Sequence, residues 1–135
     1  MIRALISLFV VFVVTVATLV AIDLYGPASA SITVIDGDTV ERAGVRHRLI
    51  GIDAPEISEA QCQKERALGR TAAQRLREMI ETAGKVDLWP EGDAKDTYGR
   101  QLSYLILDGR DAGEMLIAEG LAHPYRGRET RGGWC

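Results

Sequence analysis

Five charged residues stand in three short stretches: Asp38 in "VIDGDTV", Arg48, Asp53 and Glu56 in "RLIGIDAPE", and Arg100 in "DTYGRQL". Three carboxylates brought close together repel one another unless a cation sits between them. All-oxygen ligation without His or Cys suits a hard cation, calcium or magnesium. Two arginines beside such a site add little to its charge balance once the cation is there. They make sense if a further anion arrives, because the planar guanidinium fork matches phosphate oxygens and stays charged. Acids, a hard cation and two arginines together suit phosphodiester hydrolysis. Taken singly, each stretch reads equally well as a turn, a proline-stopped strand with solvated acids, or an edge-strand start. The chemistry requires that they converge.

The elements that must bring them together follow from periodicity. "SITVIDGDTV" alternates around a turn at Asp36–Gly37, and a second turn at Ala43–Gly44 leads into a strand from Val45 to Ile52, stopped by Pro55. In an unbroken strand Arg48 and Asp53, an odd number of positions apart, point to opposite faces; Gly51 is the place for a kink that reunites them. From Lys64 to Ala83, Leu68, Ala72, Leu76, Met79 or Ile80 and Ala83 recur at helical spacing, with Gly84 as the stop. "KVDLWP" and "RQLSYLIL" are strands; the second ends in a turn at Asp108–Gly109. Asp111 with Glu114 caps a short helix, Gly113 to Glu119, closed by Gly120. The tail, "HPYRGRETRGGWC", is irregular and locally basic, and Arg126, Arg128 and Arg131 offer a basic rim or a solvated end. Tight turns among the first three strands exclude βαβ crossovers there. Five short strands with a helix after the third predict a mainly β, α+β fold: a five-stranded OB-type Greek-key barrel.

The 135-residue chain carries a net charge of -3, so nothing global advertises a polyanionic partner and any basic footprint is local. Ala4 to Ile22 is uncharged and long enough to span a bilayer, while "ASA" at 28–30 has the pattern of a signal-cleavage site. We therefore expect residues 1–30 to be a signal peptide or membrane anchor and 31–135 to be the folded domain. With Arg3 as the only charge ahead of the run, that domain is expected outside the cytoplasm, reaching the membrane through residues 4–22 if these are retained. Cys62 and Cys135 fit an oxidising compartment as one disulfide, with two separate thiols as the alternative. No CxxC or His–Cys cluster supports zinc.

"VIDGDTV", "RLIGIDAPE", "DTYGRQL" and "EMLIAEGLA", in that order from about Ser31 to Tyr125, resemble the thermonuclease family, whose type member is staphylococcal (micrococcal) nuclease. The resemblance implies an OB-fold and a monomeric, calcium-dependent endonuclease acting on single-stranded or frayed DNA and on RNA, leaving 3′-phosphates. By motif position it makes Asp38, Asp53 and the Ala54 carbonyl the Ca2+ ligands, with Asp36 in the outer shell. It makes Glu56 the general base or water-positioner, and Arg48 and Arg100 the grip on the scissile phosphate. Tyr98 then contacts a terminal phosphate and Tyr125 stacks on a base, although the spacing near Tyr125 differs. Thr97 stands where the type enzyme has a lysine, and the chain ends without the type enzyme's C-terminal helix. We expect the Cys62–Cys135 bridge and Trp134 to cover the surface which that helix protects. Two rivals are a non-catalytic OB-fold module that binds nucleic acid or protein, and an anchored structural domain. The five charged residues at motif positions argue against both. His47 and His123 are read as non-catalytic.

Overall fold

The computed structural model describes residues 31–127 and 132–135. The apolar segment 4–22, the 28–30 motif, Arg128 and Arg131 lie outside the described residues. Alternation produces an antiparallel meander of β1 (Ile32–Asp36), β2 (Thr39–Arg42) and β3 (Val45–Leu49). Ala43 and Gly44 both take positive φ, 52° and 77°, the two-residue turn whose twist suits a hairpin. The first turn is centred one residue later than expected, at Gly37–Asp38. There the Asp36 side chain accepts the Asp38 N–H at 3.1 Å and fixes the bend.

The third strand stops at Leu49 rather than Ile52. Gly51 has φ +86°, a backbone that disfavours other residues, and the chain resumes as β4 (Ile52–Asp53). The Ser103 carbonyl accepts from Ile50 N–H at 3.0 Å and the Gly51 carbonyl from Tyr125 N–H at 2.8 Å, so the break is supported on both sides. β4 pairs with β8 (His123–Pro124), which makes the start of the tail regular after all.

Helix α1 (Gln63–Thr82) buries Ala72, Ala73, Leu76 and Met79 against the sheet, as its spacing predicts. Its end differs from expectation: Ala83 turns extended, and the Asp108 carboxylate accepts the N–H groups of Gly84 and Lys85 at 3.2 and 2.8 Å. β5 (Val86–Lys95) is longer than "KVDLWP", running past Pro90 through an irregularity, and pairs with β6 (Gln101–Leu107). After β7 (Arg110–Asp111), Asp111 caps α2 (Ala112–Ala118), accepting from Glu114 N–H at 3.1 Å. The main strand order is β1-β2-β3-β6-β5, with β3 and β6 parallel, and β7 pairs with β6 outside this path. This is the expected OB-type Greek key; β4, β7 and β8 are two-residue additions. Leu49, Ile52, Leu76, Leu105 and Leu116 form the centre of the core. Among the described residues no helix is long and apolar enough to cross a membrane. Cys62 and Cys135 are bridged, with Cα atoms 6.0 Å apart.

Candidate active site

The kink at Gly51 brings Asp53 back to the end of β3. Arg48, only 4% exposed, directs Nη2 to the Ile52 carbonyl at 2.8 Å and to Asp38 Oδ2 at 3.1 Å, with Asp53 Oδ1 at 3.9 Å. Its Nη1 donates to the Leu49 carbonyl at 2.9 Å. Arg48 thus ties the two halves of the broken strand and gathers two carboxylates onto one nitrogen. Asp38 Oδ2 also accepts the Ala54 N–H at 2.9 Å, and Oδ1 accepts from Thr39 Oγ1 at 3.1 Å. Burial pushes the Asp38 carboxyl up to about 6; Arg48 offsets this only in part, and Asp36 adds to the rise.

The second arginine arrives from the other side. The turn after β5 is organised by Asp96, whose Oδ1 accepts from the N–H groups of Tyr98 and Arg100, each at 2.9 Å. Asp96 Oδ2 takes Arg100 Nε at 2.7 Å. So aimed, Arg100 Nη1 donates to Thr39 Oγ1 at 3.1 Å, the hydroxyl that itself donates to Asp38. Both guanidinium groups therefore converge on Asp38, one directly and one through Thr39. Tyr98 is 78% exposed and its ring lies 5.4 Å from the Arg100 guanidinium carbon.

Glu56 follows Pro55 on a loop seated against α1. A Cβ at Gly69 would meet the carbonyl oxygens of Pro55 and Glu56 at 2.7 and 2.8 Å, so only glycine admits the loop so closely. Glu65, buried in the first turn of α1, accepts from Glu56 N–H at 3.3 Å and Gln61 N–H at 2.6 Å. Glu56, Asp53, Ala54, Glu65 and Gly132 border a cleft of about 190 Å³. A separate groove of about 460 Å³ is lined by Arg48 together with Gly51, Lys95, Thr97, Tyr125 and Arg126.

Asp38, Asp53, Ala54, Arg48 and Arg100 are thus one connected network, with Tyr98 and Tyr125 at its margins. Glu56 does not complete a three-carboxylate cluster. Among the described residues no group of three His, Cys, Asp or Glu has the geometry to hold a metal. Two convergent carboxylates, one of them raised to about 6 chiefly by burial, nevertheless suit a hard cation whose remaining ligands are carbonyl and water oxygens. Thr39 and Asp96 were missed as site residues although both lie inside quoted motifs; the signal was an acid four residues before Arg100, the reach of a side chain that can fold back along its own turn. His47 is buried and paired through Nδ1 with Ser103 Oγ at 2.8 Å, its pKa lowered by burial and then by Arg42. His123 stacks on Trp134, with centroids 3.7 Å apart.

The family model described as "Staphylococcal nuclease homologue" matches residues 46–133, which takes in Arg48, Asp53, Glu56 and Arg100. "Endonuclease YncB" of Bacillus subtilis (strain 168) is 36% identical over 95 residues, covering 65% of this chain and 43% of that protein. "SPbeta prophage-derived endonuclease YokF" of the same organism is also 36% identical over 95 residues, covering 65% of this chain and 31% of that protein. "Thermonuclease" of Staphylococcus hyicus is 37% identical over 95 residues, covering 67% of this chain and 55% of that protein. The chain therefore spans about half or less of the length of these curated relatives.

Proposed function

Since this chain belongs to the staphylococcal nuclease family, we propose that it is an exported, calcium-dependent endonuclease that hydrolyses single-stranded DNA and RNA and leaves 3′-phosphates. The observation that carries this reading is the convergence of two guanidinium groups on a buried carboxylate pair. A Ca2+ held by Asp38, Asp53 and the Ala54 carbonyl would polarise the phosphoryl oxygen and acidify a water beside it. Glu56, on the loop clamped by Glu65 and Gly69, orients that water and takes its proton.

Arg100 is the more accessible guanidinium, tethered at Nε to Asp96 and at Nη1 to Thr39 so that Nη2 and the second Nη1 hydrogen face an anion beside Thr39. It donates to the phosphate oxygens as charge grows in the transition state, while Arg48 balances the acids and contributes from beneath. Tyr98, beside Arg100, meets a flanking phosphate. Tyr125, lining the larger groove, stacks on a base, and Arg126 and Lys95 in the same lining draw the backbone in. The domain acts as a monomer outside the cytoplasm, where the Cys62–Cys135 bridge is stable.

The test is cleavage of single-stranded DNA and of RNA with Ca2+, with chelator, and after Ca2+ is restored, followed by end-group analysis. Loss with chelator, recovery with Ca2+ and 3′-phosphate ends are expected. Undiminished cleavage under chelation contradicts the reading.

A further inference from the structure

We propose that the C-terminal strap, residues 132–135, positions the carboxylate Asp53 for the cation, and that the Gly132 main-chain N–H is the group that acts. The inference rests on the reading of Asp53 as a cation ligand.

Contacts of the strap with the body fall on elements of the site. Gly132 N–H donates to Asp53 Oδ2 at 3.1 Å, across 79 positions of sequence. The Trp134 ring stacks on His123 with planes 11° apart, and His123 is the ladder partner of Asp53 between β4 and β8. Cys135 is bridged to Cys62, the N-cap of α1, and the first turn of that helix supplies the Glu65 that holds the Glu56 loop.

Asp53 is thereby held from two directions, its Oδ1 facing Arg48 and its Oδ2 taking the strap's N–H. A hydrogen bond on one oxygen and a facing charge on the other limit the carboxylate's rotation, which is what an outer partner does for a cation ligand. Gly132 has φ +100°, so another residue could not readily present its N–H in the same direction. Trp134 is buried, yet its Nε1–H has no hydrogen-bond partner among the described residues. Such burial is unfavourable by itself, so stacking and the covalent bridge hold the strap in place. These are the features of a segment kept for where its backbone points.

The experiment compares Ca2+ affinity by calorimetry, without substrate, and melting temperature in three full-length proteins. They are the wild type, a semisynthetic variant with glycolic acid at position 132, and Cys62→Ser/Cys135→Ser. The glycolyl ester replaces one N–H by oxygen and leaves the bridge and the φ freedom intact. We expect it to bind Ca2+ about tenfold more weakly, to need correspondingly more Ca2+ for half-maximal cleavage, and to melt near the wild type. The double serine variant should weaken Ca2+ binding in the same direction and melt lower. An ester variant with wild-type Ca2+ affinity overturns the inference while leaving the nuclease reading intact. A wild type that binds no Ca2+ overturns both.

Discussion

Arg48 and Arg100 carry the same charged group, yet the regions around them are built differently. Arg48 lies at the β3–β4 break, shut off from water and donating to the carbonyls of Leu49 and Ile52 as well as facing Asp38 and Asp53. Arg100 lies on the β5–β6 turn, its side chain 17% exposed, guided by Asp96 and leaning on Thr39. The first group is part of the fold as well as of the site: it donates to buried carbonyls on both sides of the kink. The second is held by its own turn, and the sheet does not depend on it. A functional charge can thus be fixed by enclosing it or by aiming it, and only the aimed one is separable from stability.

The largest effect should come from Arg48→Met. It leaves two buried carboxylates facing each other without their counter-charge, and removing one partner of a buried ionic group costs about 3–5 kcal/mol. A urea midpoint close to that of the wild type would break the comparison. Gly69→Ala should come next, because its Cβ can be accommodated only by pushing the Pro55 and Glu56 carbonyls away. We expect about 1–3 kcal/mol of destabilisation and a loss of cleavage rate from the displaced Glu56. Equal activity in a folded G69A protein would show that Glu56 needs no such seat.

Asp96→Asn sharpens the contrast from the aimed side. It keeps the shape of the turn and removes the charge-assisted bond that directs Arg100. We expect at most ~1 kcal/mol in stability, as for a partly exposed pair, but a slower cleavage step. A rate unaffected by Asp96→Asn would mean that Thr39 alone directs the guanidinium.

The smallest effect is one of pH. Partial burial would raise the Asp96 carboxyl, but the hydrogen bonds and charge of Arg100 outweigh it and hold the pKa below the usual carboxylate value of 3.8. A depressed folded pKa contributes stability that is present above 3.8 and is lost as acid carries the pH down through the folded value. NMR titration should find Asp96 below its usual value in the wild type and back near it in Arg100→Ala; identical titrations would deny the pairing.

The parts legible in the sequence were those set by neighbours along the chain. Period-two alternation located the meander, the Leu68–Ala83 spacing located α1, and Asp111 with Glu114 located the start of α2. Parity even pointed to Gly51, because Arg48 and Asp53 could share a face only if the strand broke there. What remained hidden depends on chain segments far apart in sequence. Glu65 reads as an ordinary first-turn acid until it accepts from Glu56 and Gln61. Gly69 reads as a weak point in a helix until the Pro55–Glu56 backbone is laid against it. Gly132 reads as part of a loose tail, yet it donates to Asp53. Asp108 replaced Gly84 as the means of ending α1 because a side chain from the β6–β7 turn reached it first.

The account depends most on Arg100 acting on the reacting phosphate while contributing little to stability. The direct measurement is the single-turnover rate of Arg100→Ala on single-stranded DNA at saturating Ca2+, taken with its melting temperature. We predict a fall of about 10²-fold or more with melting nearly unchanged. A rate equal to the wild type in a protein that melts normally would contradict it.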